Sequence, residues 1–154
     1  MPERTLITGE NNSVLRKTSQ KALPDVTETV ELVKDMQETL AGTENGIGLA
    51  ASQVGANVRV FVISPVFFEE AEGHLVYINP EITKTSRKEV EEEEGCLSLP
   101  GTWAVISRPY KVTIKAVDEE GKKFKVTGKG LLARLFQHEV DHLEGTLFID
   151  YLSK

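Results

Sequence analysis

His138 and His142 stand four residues apart in Gln137-His138-Glu139-Val140-Asp141-His142-Leu143-Glu144-Gly145. On an α-helix that spacing stacks both imidazoles on one face, so both can aim a nitrogen at a single cation, with Glu139 beside them as a base. At roughly 100° per residue, Leu131, Leu135, His138 and His142 share one narrow stripe, and Leu132, Phe136, Glu139 and Leu143 share the next. Arg134, Gln137, Asp141 and Glu144 fall on the opposite side, which is expected to face solvent. Two imidazoles and a carboxylate then point inward among leucines, where an unpaired charge costs on the order of 3 kcal/mol or more. A bound cation removes that conflict. The competing reading is a pair of satisfied core histidines, but the chain has only 3 histidines and two of them are here. The remaining one, His74 in Glu72-Gly73-His74, reads as a surface loop residue.

Catalytic metal sites commonly use three protein ligands and leave a position open for water. The extended pattern HExxHxxGxxH places its third ligand where this chain has Phe148, which cannot bind a metal. A glutamate on a later helix has little room, since few residues separate His142 from Lys154. The strongest candidate is upstream: Cys96, the only cysteine, in Glu94-Gly95-Cys96-Leu97-Ser98-Leu99-Pro100. A thiolate suits a borderline-soft divalent ion, and one Cys with two His is a known open set. A small buried hydrophobe is the other reading of a lone cysteine.

Three segments in this order, Gly46-Ile47-Gly48-Leu49-Ala50-Ala51-Ser52-Gln53-Val54-Gly55, Glu94-Gly95-Cys96-Leu97-Ser98 and Gln137 to Gly145, resemble the three motifs of the peptide deformylase family. The resemblance also takes in Val76-Tyr77-Ile78-Asn79-Pro80 and the closing Leu147-Phe148-Ile149-Asp150-Tyr151-Leu152. It implies a hydrolase that removes the N-formyl group from the N-terminal methionine of new polypeptides and releases formate. It further implies a metal on Cys96, His138 and His142, attack by the ion's water on the formyl carbon, and Glu139 as general base and then acid. Negative charge on the formyl oxygen calls for preorganised donors; the Gln53 amide suits the task, and family similarity adds the backbone N–H of Leu97.

Gly48 is expected to contact substrate; for Gly46 that role and an ordinary turn are equally good readings. Glu94 and Arg108 resemble the family's ion pair that buttresses the cysteine loop. The family points to ferrous iron in the cell, whereas the ligand types suit zinc, and nickel or cobalt can substitute. Trp103 is a departure, because familiar bacterial members often carry a basic or polar residue there. Ile47 and Leu135 are candidates for the methionine pocket. Two other readings remain: a minimal HExxH metallopeptidase, which would not need Cys96, and a structural metal or peptide-binding module, which would need neither Glu139 nor Gln53.

These residues need elements to hold them. The 154 residues suit a single domain over 1–154, and 40% hydrophobic with 27% charged residues is ordinary globular composition. A net charge of −6 argues against nucleic-acid binding or attraction to acidic membranes. No apolar run approaches the ~20 residues that span a bilayer, and Met1-Pro2-Glu3-Arg4 does not begin a signal peptide, so a cytoplasmic protein is expected; the family resemblance adds nascent chains at the ribosome as its substrates, and a monomer is expected.

Asp25 with Glu28 resembles a capping box ahead of Val26, Val30, Val33, Met36 and Leu40 at helical spacing. Val58 to Ile63, His74 to Ile78, Lys111 to Val117 and Lys123 to Val126 read as strands, the last two joined at Glu119-Glu120-Gly121. Phe67 to Gly73 reads as a loop, Glu89 with Glu91 to Glu94 as a solvated strand edge or loop, and Thr146 to Ile149 as a short closing strand. With Gly128 to Gly130 opening the metal helix, the expectation is an α+β fold in which antiparallel sheets surround a central helix carrying HExxH.

Overall fold

Gly130, at φ 58, turns the chain out of the last strand and into the helix that carries both histidines. That helix is α2, Leu131–Leu143; its 13 residues are too few for stability in isolation, so its surroundings must hold it. In the computed structural model, which describes residues 4–24 and 26–153, those surroundings are two antiparallel sheets. The strands are β1 (Gly48–Ala50), β2 (Val60–Ile63), β3 (Val76–Thr85), β4 (Glu89–Cys96), β5 (Leu99–Pro109), β6 (Lys111–Val117) and β7 (Lys123–Lys129). Five of them form one sheet in the order β1-β2-β3-β6-β7, while β4 and β5 pair separately. The second helix is α1, Thr27–Ala41.

The alternation of side chains along β2 and β3 explains how one sheet serves both helices. Phe61, Ile63 and Tyr77 point to one face and pack with Leu132, Leu135, Phe136 and Leu143 of α2. Val60, Val62, Val76 and Ile78 point to the other and pack with Leu32, Val33, Met36 and Leu40 of α1. Phe61 and Tyr77 are register partners whose rings stack with centroids 4.7 Å apart. Burying each large apolar side chain contributes ~1.5–3 kcal/mol, so packing outweighs the weak intrinsic preference of either helix.

The hairpin of β6 and β7 lies where alternation and the Gly121 turn predict it. Other expectations change. β3 runs on to Thr85, and Glu89 to Cys96 is a full strand whose glutamates are exposed except for Glu94, which is buried. His74 is half-buried and stacks on Phe124, with centroids 3.8 Å apart, rather than standing on the surface. Of the residues expected to form a closing strand, Thr146 and Leu147 lie in no regular element, and Phe148 and Ile149 begin a 3-10 helix over Phe148–Ser153, because Asp150 folds back to accept from the backbone N–H of Leu147 at 3.0 Å and its own N–H bonds the Leu147 carbonyl. Asp25 of the expected capping box lies outside the described residues; Val26 occupies the N-cap without a side-chain cap bond.

The largest correction concerns α2. Arg134 and Gln137 are buried, not solvent-facing, while Leu131 is 55% exposed. Residues 134, 137 and 141 face the β4–β5 sheet and bond to it: Arg134 to the carbonyls of Val90 and Ile106, Gln137 to that of Pro109, and Asp141 to the Arg108 guanidinium. Only Glu144, which pairs with Arg59 at 2.7 Å, keeps the exposed position expected of it.

Gly145 ends α2 at φ 76, and a Cβ there would lie 2.3 Å from the carbonyl oxygen of Arg16. Gly121 has a comparable φ of 85 with nothing within 4 Å of its Cβ position. Urea unfolding should therefore find Gly121→Ala destabilised by ~1 kcal/mol from backbone conformation alone, and Gly145→Ala by more than ~3 kcal/mol because a backbone atom must move. Equal losses would contradict this packing of the N-terminal segment under α2.

Candidate metal centre

Cys96 ends β4, and His138 and His142 occupy successive turns of α2. A register shift between Gly95 and Cys96 breaks the ladder just before the cysteine and re-aims it. The result brings Sγ of Cys96 and one nitrogen of each histidine within 4.8 Å of one another. Sγ lies 3.2 Å from Nε2 of His142, and the two imidazole centroids are 5.0 Å apart. One thiol and two imidazoles form a donor set suited to zinc or ferrous iron.

The buried carboxylate of Glu94 orients the first histidine. Oε1 accepts from Nδ1 of His138 at 3.1 Å and from Arg108 at 3.0 Å; Oε2 accepts from Nε of Arg108 and from Arg134 at 2.5 Å. Four donors saturate a carboxylate's four acceptor positions. Burial works against the charge on Glu94, but the hydrogen bonds from His138 and Arg108 prevail and lower its pKa to about 2. As an ionised carboxylate only accepts, Nδ1 of His138 carries a proton and Nε2 is the nitrogen that could hold a cation.

Electrostatics separates the two imidazoles. Burial opposes charge on His138, yet hydrogen bonds with Cys96 and Glu94 outweigh it and raise its pKa to about 10. Burial, reinforced by the neighbouring His138, pushes His142 well below the ordinary histidine value. A cation held at His138 would take the place of its second proton. Glu139 is a third case: burial lifts its carboxyl to about 7 against the pull of His138. Its Oε1 is buried without a hydrogen-bond partner among the described residues, as is Nδ1 of His142.

Cys96, His138, Glu139 and Glu94 border a cavity of about 580 Å³. Ile47, Leu97, Leu99, Trp103, Leu131 and Leu135 supply its apolar wall; Gln53, Cys96, His138 and Glu139 supply polar groups. Ile47 and Leu135, the candidates for a methionine pocket, both line this cavity. Gln53 sits in a 3-10 turn over Ala51–Val54; its Oε1 accepts from the Ala50 N–H at 2.9 Å, which leaves Nε2 facing Ser98 at 3.1 Å and Cys96 at 3.6 Å. Gly48 lines the cavity in β1, and a Cβ there would lie 2.8 Å from Glu139 and 2.6 Å from Leu135, so its small size also serves packing. Gly46 is in the preceding turn, where a Cβ would lie 2.3 Å from Thr43.

Trp103 is 64% exposed at the cavity wall and lies across from Gly95, where a Cβ would come within 2.5 Å of its ring. Sequence reading missed Arg134, Ser98 and Asp141. Ser98 carried a faint signal, two residues beyond Cys96; Arg134 carried one too, since four residues before His138 it stands only about 40° away around the helix, at the border of the side expected to face solvent.

Residues 5–154 match the family profile Polypeptide deformylase. The peptide deformylase of Clostridium botulinum (strain Alaska E43 / Type E3) is 46% identical over 143 residues, 93% of this chain and 92% of that protein. That of Rhizobium meliloti (strain 1021) is 43% identical over 141 residues, 92% of this chain and 80% of the relative. Among solved structures, the peptide deformylase from Ehrlichia chaffeensis in complex with actinonin superposes with a TM-score of 0.90 at 37% identity, covering 100% of this chain and 91% of that one. A probable peptide deformylase from Synechococcus phage S-SSM7 gives 0.84 at 39% identity, covering 96% of this chain and 99% of its own. Three sequence motifs, two sheets around α2 and the Cys96-His138-His142 cluster lead to one assignment: this chain belongs to the polypeptide deformylase family.

Proposed function

We propose that this chain, acting as one domain over residues 1–154, hydrolyses the N-formyl group from the N-terminal methionine of newly made polypeptides and releases formate. The observation that carries this reading is the convergence of Cys96, His138 and His142 beside the buried Glu139, whose Oε1 has no hydrogen-bond partner among the described residues, with Cys96, His138 and Glu139 on the wall of one cavity. Cys96, His138 and His142 would hold one divalent ion, ferrous iron in the cell, with zinc, nickel or cobalt also fitting the donor set. When bound, such an ion lowers the pKa of water and supplies a nucleophile near neutral pH.

The protein's own groups do the rest. Glu139 takes the proton of the attacking water and delivers it to the departing amine nitrogen; its burial, which raises the carboxyl toward neutrality, makes both transfers accessible. Gln53 is held by its carbonyl oxygen, so its N–H donors are fixed before charge builds on the formyl oxygen, and the Leu97 N–H is the second donor. The apolar wall of Ile47, Leu97 and Leu135 takes the methionine side chain.

The following residues of the substrate extend along β1, which stands at the edge of its sheet and lines the cavity through Gly48, with Gly46 in the turn before it. Substrates of this kind are nascent chains at the ribosome, and the working unit is a cytoplasmic monomer that binds no nucleic acid directly. No helix among the described residues is long and apolar enough to cross a membrane.

Formate release from a formyl-Met dipeptide by anaerobically purified protein, with metal analysis in parallel, tests the assignment. In that assay Glu139→Gln should retain its metal and lose at least ~100-fold in kcat/KM; a loss of only a few-fold would remove Glu139 from proton transfer. Cys96→Ser should lower zinc affinity by ~100-fold or more, measured by competition with a chelator. Unchanged affinity would exclude the thiolate and favour a metallopeptidase-like site.

A further inference from the structure

Arg134 is a buried cation one turn before His138, and no step of the hydrolysis uses it. Its Nη1 donates to Oε2 of Glu94 at 2.5 Å and to the carbonyl of Ile106 at 2.9 Å, while Nη2 donates to the carbonyl of Val90 at 2.7 Å. Those three acceptors lie on β4 and β5, whereas Arg134 itself belongs to α2. The metal ligands divide in the same way, with Cys96 on β4 and both histidines on α2. Arg134 therefore spans the two elements whose separation sets the distance from sulfur to imidazole.

We propose that Arg134 is a positioning residue for the metal centre: it clamps the cysteine-bearing hairpin to the histidine helix and steadies the carboxylate that orients His138. The proposal rests on Cys96, His138 and His142 being the ligand set. A planar guanidinium suits this task because its donors diverge in fixed directions to three acceptors at once. A lysine ammonium at the end of a flexible stem reaches fewer of them. Arg108 holds the same carboxylate from β5, with its other nitrogen on Asp141, so it ties Glu94 to the far end of the histidine turn. Without Arg134, Oε2 of Glu94 keeps only Arg108, and the Val90 and Ile106 carbonyls lose their link to α2.

A purely structural role would weaken the fold without selectively loosening the metal, so the test compares the two. Zinc-loaded protein is mixed with excess chromogenic chelator and the zinc release rate is measured alongside the melting temperature. Arg134→Met should release zinc at least ~10-fold faster, the scale of losses seen when groups supporting metal ligands are removed; Arg134→Lys should be intermediate. Val33→Ala, which loosens the α1 core away from the site, should lower the melting temperature and release zinc at the wild-type rate. In ¹⁵N-histidine spectra the Nδ1–H proton of His138 should exchange with solvent faster in Arg134→Lys than in wild type.

Release from Arg134→Met no faster than from Val33→Ala would overturn the proposal. If Arg134→Met does not fold, wild-type release and exchange in Arg134→Lys would overturn it equally. A wild-type protein that binds no zinc would instead defeat the ligand assignment itself.

Discussion

Everything at the site depends on docking a thiol from one layer against two imidazoles from another. Cys96 belongs to the β4–β5 sheet, which has no strand pairing with the five-stranded sheet around which both helices pack. A small apolar cluster of Leu99, Ile106, Leu147 and Phe148 attaches the smaller sheet to the chain's end. Apolar contacts are non-directional and tolerate sliding, but a metal site tolerates little. The Glu94 carboxylate supplies the missing direction: it stands on β4, one register step from the bulge before Cys96, and receives donors from β5 and twice from α2.

Such clusters add little net stability, because desolvating charges costs about as much as pairing them returns. Two guanidiniums, Arg108 and Arg134, face two carboxylates, Glu94 and Asp141, so the formal charge balances without His138. The cluster therefore does not need a charge on His138 to be balanced, and a cation at that imidazole could take the place of its second proton. The same low-dielectric surroundings act differently one residue later, where no guanidinium among the described residues hydrogen-bonds Glu139 and burial lifts its carboxyl to about 7. Adjacent positions on one helix thus place a fixed anion's partner and a mobile proton side by side.

The members of the candidate metal cluster were more legible than the architecture that assembles them. His138, Glu139 and His142 announce themselves by spacing, and Cys96 by being the only cysteine in a chain short of a third ligand. Strands with alternating side chains, such as Lys111–Val117, were equally plain. The acidic strand β4 was not, since five glutamates in six residues from Glu89 show no apolar alternation and only pairing with β5 buries Glu94. Arg134 and Gln137 were misplaced for a related reason. A helical wheel assumes one wet face, whereas this helix has a second sheet over its polar side, and polar residues there satisfy carbonyls instead of water. Phe148 and Ile149 look strand-forming by type, but Asp150 closes a local turn whose effect depends on geometry rather than composition.

The central claim is a cation held jointly by the hairpin and the helix. X-ray absorption at the zinc edge on zinc-loaded protein tests it most directly. One sulfur at ~2.3 Å with two imidazole nitrogens at ~2.0–2.1 Å is the predicted first shell, and the sulfur contribution should vanish in Cys96→Ser. A wild-type shell of nitrogen and oxygen alone would contradict the account.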